Sequence, residues 1–246
     1  MFDYHAKEDQ LKDKVILVTG AGAGIGKAAA IAFARHGATV ILVGKTAKKL
    51  ESVYDEIEAA GYPTPVECPL NLETATEKDY ADLAEQVGQE FGHLDGLLHN
   101  ASELGQLGPL DQYDSAMWNR LLQVNLTSQF LMSKALMPLL AEAPNGSLVF
   151  TSSSVGRKGR AYWGGYAISK FATEGMMQVW ADEVEGITHI RINSVNPGAT
   201  RTAMRARAYP AENPNNLPAP DEIMPLYLYL MSDDSVGVNG QALDAQ

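Results

Sequence analysis

The sequence predicts an α/β protein built on a single doubly wound, mostly parallel sheet with helices on both faces. Three observations lead there. Short apolar runs rich in β-branched residues recur along the chain, helical patterns separate them, and the chemically specialised groups sit at or just beyond the ends of those runs. Alternation of this kind demands crossovers between neighbouring strands. Ligands of such sheets bind beyond the carboxyl ends of the strands, where the strand order reverses.

The first run, Val15-Ile16-Leu17-Val18-Thr19, reads as a strand buried on both faces. A glycine-rich turn over 20–26 leads into an Ala-rich segment in which Ile25, Ala29, Ala32 and Phe33 share one face, predicting a helix over 25–36. Further strands are expected at 39–43, 65–69, 95–99, 147–151, 189–195 and 241–244. Helices are expected at 46–60, 77–91, 114–143, 164–184 and 221–231. Pro210, Pro214, Pro218 and Pro220 mark a loop, and the stretch near 200–220 is expected to form a mobile loop over a substrate. No linker, repeat or low-complexity tract interrupts the chain, so residues 1–246 are expected to form one domain.

Composition narrows the function classes. With 19 basic against 30 acidic residues the net charge is −11, which argues against non-specific nucleic-acid binding and against an anionic membrane surface. Cys68 is the single cysteine, so no intrachain disulfide can form. The polar start and the lack of a run of ~20 apolar residues predict a cytoplasmic protein. His5, His36, His93, His99 and His189 show no metal-ligand spacing with one another or with Cys68, and no metal is expected.

Two motifs carry chemistry. Tyr166 and Lys170 lie four apart within the predicted helix at 164–184, so both side chains face one cleft. A fixed cation favours the phenolate of a tyrosine whose unperturbed pKa is ~10, and so tunes it for proton transfer. The same spacing also fits an exposed tyrosine beside an unrelated lysine. The second motif is Gly20-Ala21-Gly22-Ala23-Gly24-Ile25-Gly26, where strand, glycine turn and helix start present bare N–H groups to a pyrophosphate. Ala at positions 21 and 28 breaks the pattern of a nucleoside-triphosphate phosphate loop, and the common G-x-G-x-x-G spacing also fails.

Taken together with His99-Asn100-Ala101-Ser102, Val124-Asn125-Leu126, Ser153 thirteen residues before Tyr166, and the segment 196–202, these motifs resemble the short-chain dehydrogenase/reductase family of the Thr-Gly-x-x-x-Gly-x-Gly type. The resemblance runs from about Lys12 to the C-terminus. It is nearest to a bacterial subgroup whose members are mostly labelled only as oxidoreductases. It implies a Rossmann-like fold and hydride transfer between a nicotinamide and a carbonyl or alcohol, with Ser153, Tyr166, Lys170 and Asn125 as the catalytic set. Ser153 would polarise the carbonyl oxygen and Tyr166 would exchange its proton. Lys170 would hold the nicotinamide ribose and lower the Tyr166 pKa, with Asn125 placing a water behind it.

Gly20, Gly22, Ala23, Gly24, Ile25, Lys45, Thr46, Asn71, Leu72, Asn100, Ala101, Tyr166, Lys170, Pro197, Gly198, Thr200 and Thr202 are expected to touch the cofactor. The second predicted strand ends in Val43-Gly44-Lys45-Thr46, without the acidic residue that an NAD site uses on the ribose hydroxyls. A cation and a hydroxyl at a helix start suit a phosphate, so NADP(H) is expected over NAD(H); the other reading makes Lys45, Lys48 and Lys49 a solvated helix face. The basic residues at 157–160 and 201–207 fit an anionic ligand, a solvated loop or a subunit contact. Ser102 stands where the family has glycine. By resemblance, a homodimer or homotetramer pairs through the two long helices. The alternative to an enzyme is a dinucleotide-sensing regulatory protein on the same fold, and a longer-chain sugar-nucleotide enzyme is disfavoured by Ala23.

Overall fold

The computed structural model describes residues 1–246. Seven strands are present: β1 (Val15–Thr19), β2 (Thr39–Gly44), β3 (Val66–Pro69), β4 (Gly96–His99), β5 (Ser147–Thr151), β6 (Arg191–Asn196) and β7 (Ala242–Asp244). They form one sheet in the order β3-β2-β1-β4-β5-β6-β7, and all six pairings are parallel. The sheet is therefore wholly parallel, where the sequence predicted mostly parallel. Eight helices cover it: α1 (Gly24–Arg35), α2 (Ala47–Ala59), α3 (Glu77–Phe91), α4 (Ser115–Leu122), α5 (Ser128–Glu142), α6 (Gly164–Val184), α7 (Ala203–Ala208) and α8 (Met224–Met231).

The strand period of two divides the core. On β1, Ile16 and Val18 join an apolar layer under α1, α2 and α8, whereas Val15 and Leu17 join the layer under α3, α5 and α6. Each face of the sheet is thus buried, which is why its strands read as continuous apolar runs. β1 has β2 on one side and β4 on the other, and the chain winds outward from it in both directions. The switch point lies at its carboxyl end, just where the glycine turn begins.

Two helical expectations are corrected. The predicted helix at 114–143 is broken by a π-helical turn over Gln123–Thr127 between α4 and α5. Asn125 sits inside that turn, fully buried. Its side chain bonds to a neighbouring loop, and a widened turn is the local cost of aiming it there. The helix expected at 221–231 begins as a 3₁₀ turn, Pro220–Ile223, and only then becomes α8. Within the stretch near 200–220 that the sequence predicts to be a loop, residues 203–208 instead form the short helix α7, capped at its start by the Thr202 hydroxyl accepting from Arg205 N–H at 3.1 Å. No helix is long and apolar enough to cross a membrane.

Candidate active site

Beyond the carboxyl end of β1 lies a cleft of about 760 Å³, within the range of small-molecule and cofactor sites. Its floor is the glycine turn. Thr19 ties that turn to the loop after β4: its hydroxyl accepts from the backbone N–H groups of Asn100 and Ala101, both at 3.0 Å, and donates to the Leu98 carbonyl at 3.3 Å. Gly20 is left-handed at φ +69°, and a Cβ there would lie 3.0 Å from Ala101 Cα. A Cβ on Gly26 would fall 2.3 Å from the Gly20 carbonyl oxygen, so only glycine lets α1 start this close to the strand. No side chain caps the first N–H groups of α1. Unpaired donors, a helix dipole and bare backbone make an anion cradle, and a dinucleotide pyrophosphate fits it.

The far end of the cleft is built from more deeply buried side chains. Ser153, Tyr166 and Lys170 line it together, delivered by the end of β5 and the first turns of α6. Lys170 is buried, donates to the Thr151 carbonyl at 2.7 Å, and stands 5.6 Å from the centre of the Tyr166 ring. Gly156 permits this: a Cβ there would press to 2.8 Å from Lys170 Cβ. Burial pushes the Tyr166 phenol up to about 12, with hydrogen bonding from Ser153 pulling the other way. Burial also lowers Lys170 to about 8, against which the Glu174 carboxylate raises it. The sequence predicted a phenol pKa lowered by Lys170; instead burial raises it, and the Ser153 hydrogen bond only partly offsets that rise.

Asn125 belongs to the layer behind the cleft wall. Its Oδ1 accepts from Glu103 N–H at 2.8 Å, and its Nδ2 donates to the Glu103 carbonyl at 2.9 Å and to Ser169 Oγ at 3.1 Å. Three of its four hydrogen-bonding positions are therefore spent on protein, and one lone pair is left for the expected water. His99, at the end of β4, is buried, stacks on Phe150 and bonds Ser133 Oγ at 2.8 Å. Burial, aided by Lys170, lowers its pKa to about 3, so it stays neutral.

The near end, at the mouth, is wet and ionic. Lys45 and Thr46 line it as expected, yet Lys45 is not a free cation: its ammonium lies 3.3 Å from the Glu103 carboxylate. Arg120, from α4, grips the same carboxylate with two bonds of 2.9 and 2.8 Å and also approaches Glu73 at 3.4 Å. Burial raises the Glu103 carboxyl, but Arg120 and Lys45 together hold it below the usual carboxylate range. Asn71 accepts from Glu73 N–H at 3.2 Å, an Asx turn that leaves a lone pair free.

All the positions expected from sequence to touch the cofactor line this one cleft, as does Ser153, while Asn125 stands one layer back. Ser102 lines it with no positive φ, so its backbone does not need the family's glycine. Sequence reasoning missed Glu103, Arg120, Trp163, Met204 and the cleft-lining role of Arg207. No spacing signal joins Glu103 to Arg120; the Asn125 clamp brings them together. The other basic residues divide. Arg157 is spent on Glu174 at 3.2 Å and Asp244 at 2.8 Å, Arg160 donates to Tyr209 Oη at 2.7 Å, and Arg205 pairs with Glu212 at 2.6 Å.

Residues 14–213 match the family described as short chain dehydrogenase. The chain belongs to the short chain dehydrogenase family. It is an oxidoreductase of the class that interconverts CH–OH and C=O. Among curated relatives, the oxidoreductase YciK of Escherichia coli strain K12, itself described as uncharacterized, is 50% identical over 243 residues, covering 99% of this chain and 96% of its own. Among solved structures, a short chain dehydrogenase from Pseudomonas syringae is 58% identical with a TM-score of 0.99, each chain covered completely. A short chain dehydrogenase from Shigella flexneri 2a, complexed with NADP, is 50% identical with a TM-score of 0.95 over 98% of this chain and 100% of its own.

Proposed function

We propose that this protein is an NADP(H)-dependent carbonyl reductase or alcohol dehydrogenase in which Tyr166 exchanges the proton. The observation that carries the reading is the trio of half-buried Ser153 and buried Tyr166 and Lys170 lining one end of a cleft floored by the glycine cradle. NADP in the Shigella flexneri relative, and the absence of a carboxylate at the end of β2, support the choice of cofactor. When bound, the nicotinamide supplies the hydride for reduction and takes it up for oxidation.

The protein's own residues supply the rest. Ser153 donates a hydrogen bond to the substrate oxygen and fixes it beside Tyr166. The phenol, kept neutral by burial, gives its proton to that oxygen as negative charge develops there, so the protonated state favours reduction at neutral pH. Lys170, cationic below about pH 8, stabilises the phenolate left behind. Asn125 holds the loop after β4 against α6 through Glu103 and Ser169. Trp163, whose ring is 5.8 Å from that of Tyr166 and 5.9 Å from that of Tyr209, forms an apolar lip with Met204, suited to an uncharged or weakly anionic substrate.

The test is a panel of aldehydes and ketones assayed by oxidation of NADPH and of NADH. Carbonyl-dependent oxidation with NADPH preferred is the expected outcome. Tight NADPH binding with no turnover across the panel would favour the sensing reading instead.

A further inference from the structure

β2 and β4 flank β1, and neighbouring strands lie about 4.8 Å apart, so their ends are separated by roughly 10 Å across the start of the glycine turn. Lys45, just past β2, and Glu103, four residues past β4, reach toward each other over that gap and meet at 3.3 Å. Both line the cleft. Their contact therefore lies in the half of the groove nearest the end of β2, where the adenosine side of a dinucleotide lies in this fold class.

The two cations on Glu103 are held unequally. Arg120 uses two bonds from a planar fork, at 2.9 and 2.8 Å, whereas Lys45 makes one contact with its side chain 56% exposed. Exposed single ion pairs are weak and exchange readily. If Lys45 leaves, Glu103 is not stranded, because Arg120 still neutralises it and Asn125 still fixes its backbone. A phosphate monoester carries about −1.5 to −2 charges at neutral pH, more than one carboxylate, so it outcompetes Glu103 for the ammonium.

Resting on the proposed NADP(H) reading, we infer that Glu103 is a specificity-determining residue, occupying Lys45 in place of the cofactor's 2′-phosphate and surrendering it when that phosphate binds. Glu103 thereby weakens NADP(H) binding, whereas NAD(H), which has no phosphate to offer Lys45, leaves the Lys45–Glu103 pair in place. Arg120 is the positioning residue that keeps the carboxylate in place through the exchange.

Calorimetric titration of NADPH, NADH and adenosine 2′,5′-bisphosphate into the wild-type protein, Glu103→Gln, Glu103→Asp, Lys45→Met and the Lys45→Met/Glu103→Gln double variant reads this directly. Glu103→Gln is expected to tighten NADPH and the bisphosphate about fivefold while moving NADH less than about twofold. Glu103→Asp, which stays within reach of Arg120 but withdraws from Lys45, moves the same way and serves should the Gln variant fail to fold. In the Lys45→Met background the gain disappears. An equal gain for NADH, a gain that survives loss of Lys45, or no gain in a folded variant overturns the inference while leaving the NADP(H) reading standing. Wild-type protein that binds neither nucleotide overturns both.

Discussion

The two ends of the cleft solve the problem of holding charge in opposite ways. At the closed end, Tyr166 and Lys170 are buried, and burial dominates both pKa values. At the mouth, Lys45, Glu103, Arg120 and Glu73 keep part of their surface in solvent and neutralise one another by pairing. Buried groups gain from low dielectric but must be placed rigidly; exposed pairs are individually weak and can swap partners. The closed end is therefore suited to proton transfer and the mouth to admitting and releasing a charged ligand.

That contrast can be broken or sharpened by experiment. The largest effect is expected from Lys170→Met. Removing the cation beside Tyr166 should lower carbonyl reduction by about 10²–10⁴-fold in a steady-state assay, whereas a loss below about tenfold would make Lys170 structural only. Next comes pH. Burial brings the loss of the Lys170 proton down from 10.5 to about 8, so reduction should fall as pH rises through that value. Above it the rate should drop about tenfold per unit, and a profile flat to pH 10 would contradict the assignment.

Asn125→Ala removes three buried or half-buried hydrogen bonds and strands the Glu103 backbone groups. It should cost about 2–4 kcal/mol of stability by chemical denaturation and loosen both ends at once, since one residue braces them. The smallest effect is electrostatic screening. Raising salt toward about 0.5 M shrinks the Debye length below ~5 Å and should weaken NADPH binding a few-fold while leaving the Lys170-dependent pH profile in place. An equal response at the two ends would erase the distinction between them.

The same contrast explains what the sequence revealed. The closed end is encoded locally: Tyr166 and Lys170 lie four positions apart on one helix, and the glycine turn follows its strand without interruption, so periodicity and spacing disclose both. Strand positions and the sheet's winding were legible for the same reason, because doubly buried strands are apolar throughout. The mouth is encoded by distance in the fold. Glu103 meets Arg120 only because Asn125, in a π turn that the helical pattern concealed, draws the loop after β4 onto α4 and α6. Lys45 could be read as a candidate phosphate ligand, but not as an already paired one. The Tyr166 shift differs from the sequence expectation for a related reason: spacing reports the neighbouring cation, whereas the depth of burial that raises the phenol is a property of the packed structure.

The most direct test compares Tyr166→Phe with the wild-type protein in two measurements on one preparation, NADPH binding and carbonyl-dependent NADPH oxidation. Loss of turnover by about 10²–10⁴-fold with binding unchanged within about twofold is the predicted result. Turnover at the wild-type rate would contradict the assignment of Tyr166 as the proton donor.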